Sequence, residues 1–203
     1  MHLRLWTCAL VMAAATGSAE AQWQLGIGVG IEGHGRWVES SPSAVSGGPD
    51  GRPTTTWPLE IDLSRGGSGR RIGIRLSRSR PGLELYDATL RVALQPAFQV
   101  TRIAPESSVP AHRFSRGGQL RFGIGLPVEQ WSFPDSADPP RWRVGGTVTV
   151  AIELPMSSRM TARIYGSAGT LFSHPFAGTE PIDDYIPTRT WRRALGIGVG
   201  WRL

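Results

Sequence analysis

From Trp191 to Leu203 the chain alternates with a period of two. Trp191, Leu195, Ile197, Val199, Trp201 and Leu203 fall on one parity; Arg192, Ala194, Gly196, Gly198, Gly200 and Arg202 fall on the other. That period belongs to a strand with one apolar face and one small or charged face. The strand continues to the last residue, where chains normally fray. A closed sheet removes the conflict, because its last strand pairs with its first. The pattern therefore points to an antiparallel transmembrane β-barrel, apolar outside and polar inside.

The N-terminus is read in the same way. Arg4 precedes an apolar run from Leu5 to Ala15, and Ala19-Glu20-Ala21 fits the small-x-small rule for a secretory cleavage site. The run is shorter than the ~20 residues that a membrane-spanning helix needs. Residues 1–21 are expected to be a cleaved signal peptide, and residues 22–203 a single barrel domain. Cys8 lies well before the cleavage point, which argues against a lipoprotein signal, and its removal leaves no cysteine for a disulfide framework. Closure of the sheet in lipid offers stability instead, because every backbone group in the wall is paired. Mean hydropathy is −0.16, as expected when apolar and polar faces average out.

The net charge is +6, and all 22 basic residues are arginine. They are spread through strands and turns rather than gathered in a block. In an exported chain this argues against nucleic acid as a partner and for anionic lipid headgroups.

Seven segments carry clear alternation: Trp23–Val38, Thr56–Arg65, Arg70–Arg80, Gln119–Trp131, Arg141–Leu154, Met160–Phe172 and the terminal strand. An up-and-down barrel with both ends on one side needs an even number. The eighth stave is expected between Arg80 and Gln119, at about Phe98 to Ala104 and running on toward Pro110. Leu83–Pro96 reads as a long loop in which Asp87–Leu94 is a short helix or an extra strand. Strands of this length, rising about 3.3 Å per residue and tilted, match the ~25 Å apolar band of an outer membrane.

If the first strand runs outward, Trp37, Trp57, Trp131, Trp142, Phe172 and Trp191 fall at the outer rim, and Trp23 and Trp201 at the inner rim. Such positions suit aromatic belts at the membrane interfaces. The turns Gly66–Gly69 and Pro155–Arg159 are short and would face the periplasm. Glu39–Thr55, Pro81–Ala97, Ser132–Pro140 and Ser173–Arg189 are longer and would be extracellular.

In strand pattern, belts and loop asymmetry the chain resembles the small eight-stranded outer-membrane barrels, such as the OmpA transmembrane domain and OmpX. The resemblance covers nearly all of residues 22–203. It extends to a C-terminal assembly signal, here Gly198, Trp201 and Leu203, with leucine in place of the usual terminal aromatic. It implies insertion by the barrel-assembly machinery, which would read this strand.

Parity places Glu32, Glu60, Asp62, Glu129 and Glu153 inside, with Arg71, Arg75, Arg121, Arg143, Arg163 and Arg192. Eight strands leave a lumen just wide enough for side chains to fill. Buried charges must pair, so the expectation is a plugging ion-pair network, with a narrow channel as the alternative. Barrel enzymes that modify lipid A or phospholipid need a nucleophile and base at the rim. The candidates are Ser173 with His174 and Ser115 with His112, while His34 has no evident partner in the sequence. Neighbouring residues on a strand face opposite ways, which disfavours Ser173–His174. Glu180, Asp183 and Asp184 lack a defined metal-ligand spacing. There is no phosphate-binding loop, zinc motif or redox motif, so no cofactor or metal is expected. The reading is a monomeric barrel in contact with outer-membrane lipid and lipopolysaccharide, with a structural or surface-interaction role and no evident catalysis.

Overall fold

The computed structural model describes residues 22–36, 38–40, 50–67, 69–86, 91–94, 98–132, 139–173, 185–187 and 190–203. The proposed signal peptide, Trp37 and His174 lie outside the described residues, as do Glu180, Asp183 and Asp184.

Eight antiparallel staves form a closed barrel. They are β1 (Gln22–His34), β4 (Leu59–Gly66), β5 (Arg71–Ser79), β8 (Gln99–Arg113), the collinear pair β9 (Gln119–Gly125) and β10 (Val128–Ser132), β11 (Arg141–Pro155), β12 (Met160–Leu171) and β14 (Trp191–Arg202). Closure is made by β1 and β14, which pair from Gln24↔Arg202 to His34↔Arg192. The described residues contain no helix. Apolar residues of alternate parity point outward on every stave, with Leu59, Ile124, Leu195 and Ile197 among the most exposed. Burial is therefore inverted relative to a soluble protein, as a wall facing lipid requires.

The first stave ends at His34, short of the expected Val38, which lies in a separate short strand; elsewhere prolines mark where the staves depart from the expected bounds. Thr56 and Glu32 share only an isolated bridge, and the continuous strand begins at Leu59, just after Pro58, which has no N–H to donate. The stave sought between Arg80 and Gln119 is β8. It runs past Pro105 and Pro110 to Arg113, with its register against β9 shifting between Pro110 and His112. Pro127 separates β9 from β10, yet the register is continuous on both sides: Gly125↔Thr147 leads to Val128↔Val144, and Glu106↔Gly125 leads to Ile103↔Val128. Parity is therefore kept across the break. At the inner end Gly117 turns the β8–β9 hairpin with φ 80°, a left-handed conformation that suits glycine.

The outer connections form a second sheet. It comprises β2 (Val38–Ser40), β3 (Asp50–Pro53), β6 (Leu83–Tyr86), β7 (Arg91–Leu94) and β13 (Tyr185–Pro187), in the order β13-β2-β3-β6-β7. Of the helix and strand alternatives for Asp87–Leu94, the described part, Arg91–Leu94, is a strand, β7; residues 87–90 lie outside the described residues. Glu84 lies buried between Arg52 and Arg91, accepting from Arg52 Nε at 2.7 Å and from Arg91 Nε. The Arg52 hydrogen bond, reinforced by Arg91, holds the Glu84 carboxyl below the usual range for glutamate. A depressed folded-state value means stability that is present above the unfolded value and is lost as pH falls through the folded one. Acidification below the ordinary glutamate range should therefore lower amide protection in β3, β6 and β7 several-fold, once the slower intrinsic exchange at low pH is divided out, with the protection of the barrel amides unchanged. Hydrogen exchange followed by mass spectrometry reads this directly, and Glu84→Gln should remove the pH dependence.

Candidate functional site

The site is the lumen. Its charged side chains come from staves on opposite walls, and they meet in three tiers because inward residues alternate with outward ones along every stave.

The outer tier is built on Glu32 of β1 and Glu129 of β10, which lie four staves apart around the ring of eight and so face each other. Arg102 of β8 joins them. Its guanidinium holds Glu32 with both ends of the fork, Nη1–Oε2 at 2.8 Å and Nη2–Oε1 at 3.0 Å, and its Nε donates to Glu129 Oε1 at 2.8 Å. Arg192 of β14 also pairs with Glu129, and the indole N–H of Trp131 donates to Glu129 Oε2 at 3.2 Å. His34 Nε2 lies 3.1 Å from Glu32 Oε1. All these residues avoid solvent, so the two carboxylates are desolvated but matched by two guanidinia and further donors. That is the condition under which buried charge is tolerable. Above this tier Phe98, Val100, Trp131 and Leu171 form an apolar cluster, with Leu83 packed against it and Phe98 and Trp131 rings 5.3 Å apart.

The middle tier joins Arg75 of β5 to Glu106 of β8 at 2.9 Å and to Glu60 of β4 at 3.7 Å. From the opposite stave Tyr165 presents its ring, with Arg75 Cζ 5.0 Å and Arg163 Cζ 4.8 Å from the centroid. These are cation–π distances. The ring lies over Gly196, its register partner on β14, and a Cβ there would overlap it. Glycine at that inward position is what lets the tyrosine fold down across the wall.

The inner tier links Arg71 of β5 to Glu153 of β11 at 2.6 Å and Arg163 of β12 to Asp62 of β4 at 3.5 Å. Gln119 Nε2 adds a bond to Glu153 at 2.8 Å. Arg121 is buried here but bonds to neutral groups: Gly69 O at 2.8 Å, Ser108 O at 3.1 Å and Gln119 Oε1 at 3.3 Å. A small cavity of about 50 Å³, open to solvent, lies among Asp62, Arg71, Arg75, Glu106, Arg121 and Glu153.

The structure thus brings together Glu32, Glu60, Asp62, Glu129 and Glu153 with Arg71, Arg75, Arg121, Arg163 and Arg192. Arg143 is half-buried near the outer end of β11, and its Nη1 donates to the Trp142 carbonyl at 2.8 Å. Arg102, Glu106, Tyr165 and His34 belong to the tiers and were missing from the expected set. Arg102 and Glu106 are four residues apart on one strand and so share its inward face. That signal could have found them had the bounds of β8 been legible. His34 finds its partner two residues back on its own strand.

One expectation about the aromatics is corrected. Trp131 is not a belt residue: it is 1 % exposed, inside the lumen. It shares parity with Arg121 and Glu129, and the unbroken register across Pro127 carries that parity to the end of the stave. Trp23, Trp57, Trp142, Phe172 and Trp191 are exposed on the outer wall, and Trp201 is half-buried. Gly198 and Trp201 lie in β14, and Leu203 follows it, its N–H bonded to the Trp23 carbonyl at 2.9 Å. His112 is exposed, with its ring 5.2 Å from that of Phe114. No cluster of three or more potential metal ligands occurs among the described residues.

No protein-family profile matches this chain. No curated protein matches it in sequence. Solved structures do match in fold. The crystal structure of Neisserial surface protein A superposes with a TM-score of 0.61 at 10 % identity, covering 90 % of this chain and 99 % of that one. The outer membrane protein OprG from Pseudomonas aeruginosa does so with a TM-score of 0.55 at 8 % identity, covering 91 % and 97 %. The fold is that of the small eight-stranded outer-membrane barrels.

Proposed function

We propose that this chain resides in the outer membrane as a barrel closed to through-flow, acting through its lipid-facing wall and its outer sheet in a structural or surface-interaction role. The bridge from Glu32 through Arg102 to Glu129 carries this reading, because it spans the lumen between opposite staves. The apolar cluster of Phe98, Val100, Trp131 and Leu171 supports it from above. An ion entering the inner cavity would have to displace both layers to pass. Its partners on this reading are outer-membrane lipid and lipopolysaccharide, with the barrel-assembly machinery during insertion.

The test is conductance. Purified barrel inserted into a planar bilayer should give no sustained current at moderate voltage. Regular ohmic steps from the intact chain would overturn the closed reading in favour of a channel. Hydrolysis or transfer on the lipid would overturn it in favour of an enzyme.

A further inference from the structure

The outer wall is not uniformly apolar. One register row across it reads Ile61 on β4, Leu76 on β5, Ile103 on β8, Val128 on β10 and Val144 on β11. The next row toward the outer end reads Leu59, Arg78, Thr101, Gln130 and Trp142 on the same staves. Beyond it, Gln99 pairs with Ser132, and Arg80, one residue past the end of β5, keeps the parity of Arg78. Within one row the wall changes from fully aliphatic to polar and cationic on three adjacent staves, β5, β8 and β10. Exposed Trp57 and Trp142 flank the polar segment. Arg78 and Arg80 are exposed. Arg78 Nη2 donates to Gln99 Oε1 at 2.6 Å, which turns its guanidinium along the wall toward the outer end. Among the described residues neither arginine pairs with a carboxylate.

An arginine on a lipid-facing wall is costly unless its head reaches the interface and meets an anion. The flanking tryptophans mark the headgroup level, and the fork of a guanidinium matches phosphate oxygens. The polar segment crosses three staves, so it is about 10 Å wide at the ~4.8 Å spacing of neighbouring strands. Around its two cations it offers hydroxyl and amide groups from Thr101, Gln130, Ser132 and Gln99. That width and mixture fit a phosphorylated sugar headgroup better than the single phosphate of a glycerophospholipid. We infer that the outer-end segment of β5, β8 and β10 is a docking site for a phosphorylated glycolipid of the outer leaflet, of the lipid A type. Arg78 and Arg80 take the phosphate, and Thr101, Gln130 and Ser132 face the sugar.

This site rests on the proposed placement in an outer membrane, and it stands apart from whether the lumen conducts. The folded barrel, purified in neutral detergent, would be offered bis-phosphorylated lipid A, the same lipid after dephosphorylation, and phosphatidylglycerol, with retained lipid read by native mass spectrometry. The wild type should retain the phosphorylated lipid A at least tenfold better than either alternative, a comparison that needs no variant. Arg78→Gln with Arg80→Gln should lose that preference while keeping the heat-dependent gel mobility of a folded barrel. Arg193→Gln, an exposed outward arginine on the stave opposite β8, should keep it. Equal retention of dephosphorylated lipid A would overturn the inference, as would an unchanged R78Q/R80Q variant or an equal loss in R193Q. Equal retention of phosphatidylglycerol would assign the patch to ordinary phospholipid and overturn the glycolipid assignment. Failure of any of these arms leaves the conductance result as it was.

Discussion

Replacing Arg102 with alanine should cost the folded barrel about 3–5 kcal/mol, the usual penalty for removing one partner of a buried ion pair. The reason is geometric. Arg102 gives both ends of its fork to Glu32 and its Nε to Glu129. Its loss strands two desolvated carboxylates with Arg192, His34 and the Trp131 indole as their remaining partners there. Urea unfolding in lipid vesicles, followed by gel mobility, measures the loss. Adding Glu32→Gln and Glu129→Gln to the Arg102 variant should recover part of it, because the stranded charge is then gone. A variant as stable as the wild type would show that water, rather than Arg102, satisfies the two carboxylates.

Trp131→Ala should be comparably damaging, at about 3–5 kcal/mol, as for other large aromatic deletions from a packed core. The indole fills the outer end of the lumen against Phe98 and donates to Glu129. Its removal opens a void and takes one hydrogen bond from a buried carboxylate. Trp142→Ala is the control. That ring is exposed on the outer wall, and its loss should cost roughly 1 kcal/mol or less, in the range of surface substitutions. Equal costs for the two tryptophans, in the same urea assay, would return Trp131 to the belt.

The two tryptophans also show what could be read before the fold was known. Both end an alternating segment, and strand ends suggested a belt for each. Parity alone separates them. Trp142 is in step with Val144 and Val148, whereas Trp131 is in step with Glu129 and Arg121. Position along a strand sets depth in the membrane, but parity sets which side of the wall is faced, and for Trp131 parity prevails. The β8 stave was hard to bound for a different reason. Its inward face carries Val100 and Ala104 beside Arg102 and Glu106, with Phe98 just before it, and its outward face carries Thr101 and Ser107 beside Ile103 and Val109. Neither face is uniformly apolar, because the stave contributes to both the apolar cluster inside and the polar patch outside. Pro105 and Pro110 add the appearance of a loop.

The sequence by itself determined the period of two, hence seven of the eight staves, the even number that required an eighth, and most of the inward charge; Arg102 and Glu106, on the stave whose bounds were not legible, were left out. These are local properties, carried by residues two apart on one chain segment. Which carboxylate meets which guanidinium was decided only by closure of the barrel. The partners of Arg102 lie 70 and 27 residues away, and only the register of staves around the ring brings opposite walls within reach. Likewise, no short segment contains the polar patch of Arg78, Thr101 and Gln130. It exists because antiparallel register sets three outward residues, from three separate strands, in one row.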